Sequence, residues 1–151
     1  MLDLRPSRLD DPDALLLTEE VQRFYEELYG GRDEDPIAPE EFAAPDGGFL
    51  IGYHEGEPVA MGGWSFLPGR DAVKIRRMYV RATVRRLGFA AAVLQRLEDD
   101  ARAAGASRVV LGTGEPQVAA VRFYRSRGYT DVEPYGYYAA APGAVSLGKA
   151  L

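Results

Sequence analysis

Residues 78–93, MYVRATVRRLGFAAAV, decide the fold. They read as the end of a strand, a basic turn and the start of a helix. Upstream, residues 72–80 (AVKIRRMYV) alternate: Val73, Ile75, Arg77 and Tyr79 stand against Lys74, Arg76, Met78 and Val80, the period of a strand. Downstream, Ala90, Val93, Leu94, Leu97, Ala101 and Ala104 form an apolar stripe at helical spacing over residues 87–104, and Gly105 ends it. Another short apolar run follows at residues 107–112 (SRVVLG). Strand, helix and strand in that order predict a parallel pair bridged by the helix.

Working outward, residues 48–67 predict a hairpin, because two β-rich runs flank the turn cluster Glu55-Gly56-Glu57-Pro58. Residues 12–29 predict a helix, with Leu17, Val21, Phe24 and Leu28 at helical spacing and Gly30-Gly31 as its stop. Residues 2–8 read as a short strand. Residues 32–47 are polar and Pro-rich, with room for one short helix near 39–43; they read as a surface loop or as a lid over a site. Pro116 is suited to open a further helix that runs to Arg127 and closes at Gly128. Residues 129–133 and 144–151 read as two last strands. The order β-α-α-β-β-β-α-β-α-β-β predicts a single α/β domain over residues 1–151, built on a mixed sheet of about seven strands with helices on both faces.

The chain has 151 residues, 18 basic and 23 acidic, for a net charge of −5. Residues 1–60 hold sixteen acidic residues and four Arg, whereas residues 61–151 hold seven acidic and fourteen basic residues. Such asymmetry predicts partners of different sign. There is no cysteine, which excludes disulfides, thiolate metal sites and a cysteine nucleophile. A single histidine, His54, excludes a His-rich metal centre and leaves little from which to build a nucleophile–His triad. No apolar run approaches the roughly 20 residues of a membrane span. The N-terminus lacks the layout of a signal peptide, so the expectation is a cytoplasmic protein with no membrane partner.

Backbone N–H groups at a helix N-terminus point at whatever sits there, and the helix dipole adds about half a positive charge. Here Gly88 allows close approach, Ala90 nearly so, and Arg85 and Arg86 can add charge-assisted bonds. Residues 70–90 carry seven basic residues and one acidic residue, Asp71. This composition suits a short polyanion, and equally a solvated Arg-rich turn. A long nucleic acid fits poorly, because the acidic half would repel it.

The turn Arg85-Arg86-Leu87-Gly88-Phe89-Ala90 resembles the acetyl-CoA motif of the GNAT N-acetyltransferase superfamily, Arg/Gln-x-x-Gly-x-Gly/Ala, in which an extra glycine often stands where Arg86 stands here. Downstream, Gln117-Val118-Ala119-Ala120-Val121-Arg122-Phe123-Tyr124-Arg125-Ser126-Arg127-Gly128-Tyr129 is similar to that family's second pattern, Asn-x-x-Ala-x-x-Φ-Tyr-x-x-x-Gly-Phe/Tyr, with Gln117 in place of Asn. The motifs lie within residues 48–151, and element order extends the likeness to the whole chain. The resemblance implies acetyl-CoA as cosubstrate and no metal. It implies cofactor contacts at Met78, Tyr79 and Val80 (through a strand splayed from its neighbour), at Arg85, Arg86, Leu87, Gly88, Phe89 and Ala90, and at Gln117, Ala120 and Phe123.

The resemblance also places Tyr124 as general acid. A phenol of pKa about 10 stays protonated at neutral pH and can donate to a departing thiolate. The family's usual strand glutamate is Lys74 here, so the base is sought elsewhere: Glu115 before the last helix, His54, Asp71 or a water chain. Tyr135, Tyr137, Tyr138 and Trp64 could equally wall the acceptor or pack the sheet edge; as a wall, with the acidic half, they would favour a cationic amine. The expected activity is acetyl transfer to a primary amine of a small molecule or peptide, with a non-catalytic acyl-CoA-binding or sensing module as the alternative. Exposed strand edges allow a homodimer.

Overall fold

The computed structural model describes residues 1–134 and 138–151. Among them are the strands β1 (Asp3–Pro6), β2 (Gly47–His54), β3 (Glu57–Phe66), β4 (Ala72–Val80), β5 (Arg108–Gly114), β6 (Thr130–Asp131) and β7 (Ala144–Ala150). The α-helices are α1 (Pro12–Tyr29), α2 (Phe89–Ala103) and α3 (Val118–Ser126). These seven strands form one sheet in the order β1-β2-β3-β4-β5-β7-β6. β4 and β5 are parallel, joined through α2, and the other neighbours are antiparallel. The mixed α/β architecture expected from the element order is therefore the one observed.

Successive residues of the central strands point to opposite faces. Ile51 and Met61 join Ala14, Leu17 and Val21 of α1, together with Phe42 and Phe49. Leu50, Trp64, Val73 and Ile75 join Val93, Leu94 and Leu97 of α2 and Tyr124 of α3 on the other face. Each such Leu or Val side chain taken out of water stabilises the fold by roughly 1.5–3 kcal/mol. α1 begins where Asp11 accepts the N–H of Asp13 at 2.9 Å, and it ends at Gly30, the stop expected from the sequence. Its stripe turns slightly from the expected one: Tyr25 packs against the core and Phe24 is 37% exposed.

Strand β4 departs from its expected pleat. Arg76 pairs with Gly63 but Tyr79 pairs with Met61, so β4 carries one more residue than β3 across that interval. Arg77 sits there at φ 59°, a β-bulge. The alternation inverts beyond it. Met78 and Val80 follow Val73 and Ile75 onto the α2 face, while Tyr79 turns to the α1 face. The expected set Val73, Ile75, Arg77 and Tyr79 is thus split, because a strand's period holds only while the ladder is regular.

α3 starts at Val118, not at Pro116. The chain first makes a turn in which the Gln117 N–H donates to the Gly114 carbonyl at 2.9 Å and the Glu115 N–H to that of Gly143 at 2.8 Å. Trp64 is 5% exposed, edge-on to Phe66 in the core, so it does not wall an acceptor site. Tyr135 and Tyr137 lie outside the described residues. No helix among the described residues is long and apolar enough to cross a membrane.

Candidate active site

The bulge coincides with a divergence of two strands. β4 pairs with β5 only through residues 72–74, while β5 continues along β7 as far as Gly114. Residues 75–80 therefore have β3 on one edge and no ladder partner on the other. Their side chains are committed elsewhere: Met78 and Val80 pack toward α2, and the Tyr79 hydroxyl donates to Glu20 at 3.2 Å. Along residues 78–80 the gap is left with main-chain donors and acceptors. An amide-containing tether is matched by such an edge, as the resemblance requires of Met78, Tyr79 and Val80.

Directly after β4 comes the basic turn. The Arg85 Nε donates to the Val80 carbonyl at 3.1 Å, which ties the turn back to the strand. Arg86 is exposed at φ 72°, and Gly88 holds the N-cap of α2 at φ 81°, a backbone state that favours glycine. No side chain caps α2, so the N–H groups of its first turn are free to donate outward. Leu87 is 57% exposed beside them. Phe89 is buried, its ring centroid 5.1 Å from that of His54, and Ala90 packs at the core edge. Phe89 and Ala90 thus offer main-chain N–H groups and not side chains. An uncapped helix start beside Arg86 fits the pyrophosphate of CoA.

Beside the splay lies a cavity of about 470 Å3, lined among others by Tyr25, Tyr29, Asp33, Arg77, Gln117 and Tyr138. The Gln117 Nε2 donates to the Tyr29 hydroxyl at 2.8 Å and so joins the end of α1 to the start of α3. The Tyr29 hydroxyl approaches Gly114 so closely that a Cβ there would displace it. Tyr124 is 9% exposed, with Phe123 and Tyr129 at ring-centroid distances of 5.3 and 5.7 Å. Burial, and then the neighbouring Tyr25, hold its phenol above the usual tyrosine range. Tyr25 is pushed up to about 12, by burial first and Asp33 second. Ala120 and Phe123 pack against the core from α3. Below them, Tyr129 donates to the buried Glu98 at 2.7 Å, and Lys149 donates to the same carboxylate at 3.0 Å.

The candidate bases do not converge on Tyr124. Glu115 is exposed and faces a separate groove of about 740 Å3 with Val118 and Arg122. His54 is half-buried, its Nδ1 3.2 Å from the Met1 carbonyl, rather than exposed at the hairpin tip. Asp71 accepts from the Ser107 hydroxyl at 2.7 Å, at the start of β4. Lys74 pairs with Asp35 at 3.5 Å, and Arg76 with the same carboxylate at 2.9 Å.

Part of the charge division of the chain is taken up by ion pairs between its two halves. Glu20 holds Arg81, Asp35 holds Lys74 and Arg76, Glu41 reaches Arg76, Asp33 lies by Arg77, and Asp46 holds Arg70. The first sixty residues thus supply anions to cations on and around β4. Tyr25, Asp33 and Arg77 were not among the residues expected at the site. One signal for Arg77 exists in the sequence: it is the charged member of an otherwise apolar alternation.

Comparison with known proteins agrees with this geometry. The family model described as Acetyltransferase (GNAT) family matches residues 15–129. An IAA acetyltransferase of Azospirillum brasilense is 32% identical over 147 residues, covering 97% of this chain and 95% of that one. Among solved structures, a GNAT-family acetyltransferase from Staphylococcus aureus aligns over 100% of this chain and 99% of its own, with a TM-score of 0.80 at 14% identity. The PaiA N-acetyltransferase of Thermoplasma acidophilum, solved in complex with coenzyme A, aligns over 100% and 99% with a TM-score of 0.73 at 13% identity. The splayed strands, the uncapped helix after them and these likenesses converge on one conclusion: the chain belongs to the GNAT family of acetyltransferases.

Proposed function

We propose that this protein moves the acetyl group of acetyl-CoA directly to a primary amine of a small molecule or peptide, with Tyr124 as general acid. The observation that carries the reading is the gap between β4 and β5, edged by main-chain groups without a ladder partner and adjoining both an uncapped helix start and a cavity of about 470 Å3. Acetyl-CoA supplies an activated acyl carbon and a thiolate leaving group. The N–H of Met78 or Tyr79 donates to the acyl oxygen as negative charge grows there, a contribution of about 100- to 1000-fold in comparable sites. Arg86 and the first turn of α2 hold the pyrophosphate, and Gln117, Ala120 and Phe123 border the tether.

The new C–N bond forms as the C–S bond breaks, and Tyr124 gives its hydroxyl proton to the sulfur. The amine releases a proton in becoming an amide, and solvent returns one to Tyr124. Of the carboxylates lining the cavity, Asp35 is engaged by Lys74 and Arg76, and Asp33 accepts from the Tyr138 hydroxyl. Glu115 does not line the cavity, so the amine's proton passes to water rather than to Glu115.

The test is thiol release from acetyl-CoA across a panel of amines, read beside thermal stabilisation by acetyl-CoA, which should reach about 2.7 kcal/mol at a hundredfold excess over Kd. Thiol release that rises with one amine supports transfer. Stabilisation without turnover of any amine would replace the reading with an acyl-CoA-binding module, for which Lys74 at the usual acidic position is the motive.

A further inference from the structure

Arg77 stands out among the charged residues of the cavity. Its side chain is 7% exposed, and its Nη1 is the one buried side-chain polar atom without a hydrogen-bond partner among the described residues. The nearest anion, Asp33 Oδ2, lies 3.6 Å away, too far for a hydrogen bond. Asp33 is not free to close that distance. Its main-chain N–H donates to Gln22 at 2.7 Å, its carbonyl accepts from Gln22 at 3.2 Å, and its other carboxylate oxygen accepts from the Tyr138 hydroxyl at 2.9 Å and the Asp35 N–H at 3.0 Å. Arg77 is not free either, because the bulge at φ 59° sets where its side chain begins. The neighbouring cation Arg76, by contrast, is matched at 2.9 Å by Asp35.

A buried donor left unbonded is costly, and folded proteins rarely keep one without a use. The guanidinium belongs to the wall of the 470 Å3 cavity, so a swing about its terminal torsions presents Nη1 to a guest. A planar fork of N–H donors on a cavity wall matches a carboxylate by two parallel bonds. Arg77 also directly precedes Met78, whose main-chain N–H borders the proposed reacting centre. From this geometry we infer that Arg77 is a specificity-determining residue that anchors a carboxylate on the acceptor, so that the acceptor is an amine that is also an acid. The inference rests on the acetyltransferase reading for the word acceptor. The carboxylate site itself stands on the geometry alone, and it departs from the cationic acceptor expected from the acidic half of the chain.

The test titrates α- and ω-amino acids, each beside its amide and its decarboxylated amine, into protein saturated with CoA. Wild type, Arg77→Gln and Arg77→Lys are compared, with acetyl-CoA thermal stabilisation as the control for folding. Expected is binding of at least one amino acid in preference to its amide and amine. Arg77→Gln should weaken the acid about 10- to 100-fold and leave the uncharged-end analogues unchanged, with partial recovery in Arg77→Lys. Equal binding of acid, amide and amine overturns the inference, as does equal weakening of all three by Arg77→Gln, or no binding by any acid. Acid binding lost in Arg77→Gln but with no thiol release from acetyl-CoA would uphold the carboxylate site and reject the transferase reading.

Discussion

The turn at residues 85–90 and the cavity around Arg77 both depend on strand β4, yet they handle charge in opposite ways. At the turn, Arg86 is held out in solvent beside a helix start that no side chain caps. In the cavity, Lys74, Arg76 and Arg77 are mostly buried and face Asp35 and Asp33. The turn attracts by field and by main-chain donors, and needs little from the rest of the fold. The cavity selects by fixed geometry, and its anions come from a loop some forty residues earlier in the chain. A field at an exposed site is screened within about 8–10 Å at physiological salt, whereas a buried contact is screened far less.

The largest effect expected from breaking this arrangement is chemical. Tyr124→Phe should lower the single-turnover rate about 100-fold or more while leaving acetyl-CoA affinity, measured by calorimetry, little changed. An unchanged rate at both neutral and high pH would remove Tyr124 from the mechanism. Because its phenol is held above the usual range, the wild-type rate should show no alkaline loss from this group below about pH 10.

Next in size is the response of the cavity to base. Tyr25 titrates at about 12 in the folded protein against about 10 when unfolded. The unfolded chain therefore loses its proton first, and stability present below pH 10 is lost as pH rises toward 12. The loss from this group should reach roughly 2–3 kcal/mol. Thermal unfolding between pH 9 and pH 12 (about 1 kcal/mol per 0.7 unit at most) reads it, and Tyr25→Phe should flatten the curve. A Tyr25→Phe protein with the wild-type alkaline slope would contradict the burial argument.

The smallest effect sharpens the other side of the comparison. Arg86→Ala should raise the acetyl-CoA Kd about 3- to 10-fold and flatten its salt dependence. Acceptor binding at the buried Arg77 should respond to salt much less. If Arg86→Ala left both the affinity and its salt slope untouched, the main-chain groups of α2 alone would hold the phosphates.

Much of the scaffold was legible because it is written in local punctuation. Gly30 closes α1, and the turn at Glu55-Gly56 makes the hairpin. The start of α3 was displaced by two residues, since Pro116 is compatible with a helix start but the Gly114–Gln117 turn takes precedence. Of the site, the cofactor side was largely legible, because its donors are consecutive in the chain. Phe89 and Tyr79 show the limit of that reading. Their positions suit the motif, but their side chains go to the core and to Glu20.

What the amino-acid sequence determined by itself is what depends on neighbours three or four residues away: the strand, the basic turn, Gly88 and the helix that follows. What only the tertiary structure decided is how remote segments meet. One extra residue in β4 relative to β3 inverts the strand's faces, and a distant loop brings Asp33 and Asp35 to Lys74, Arg76 and Arg77. Register and ion pairing are relations between segments, and their energies exist only once the chain has brought those segments into contact.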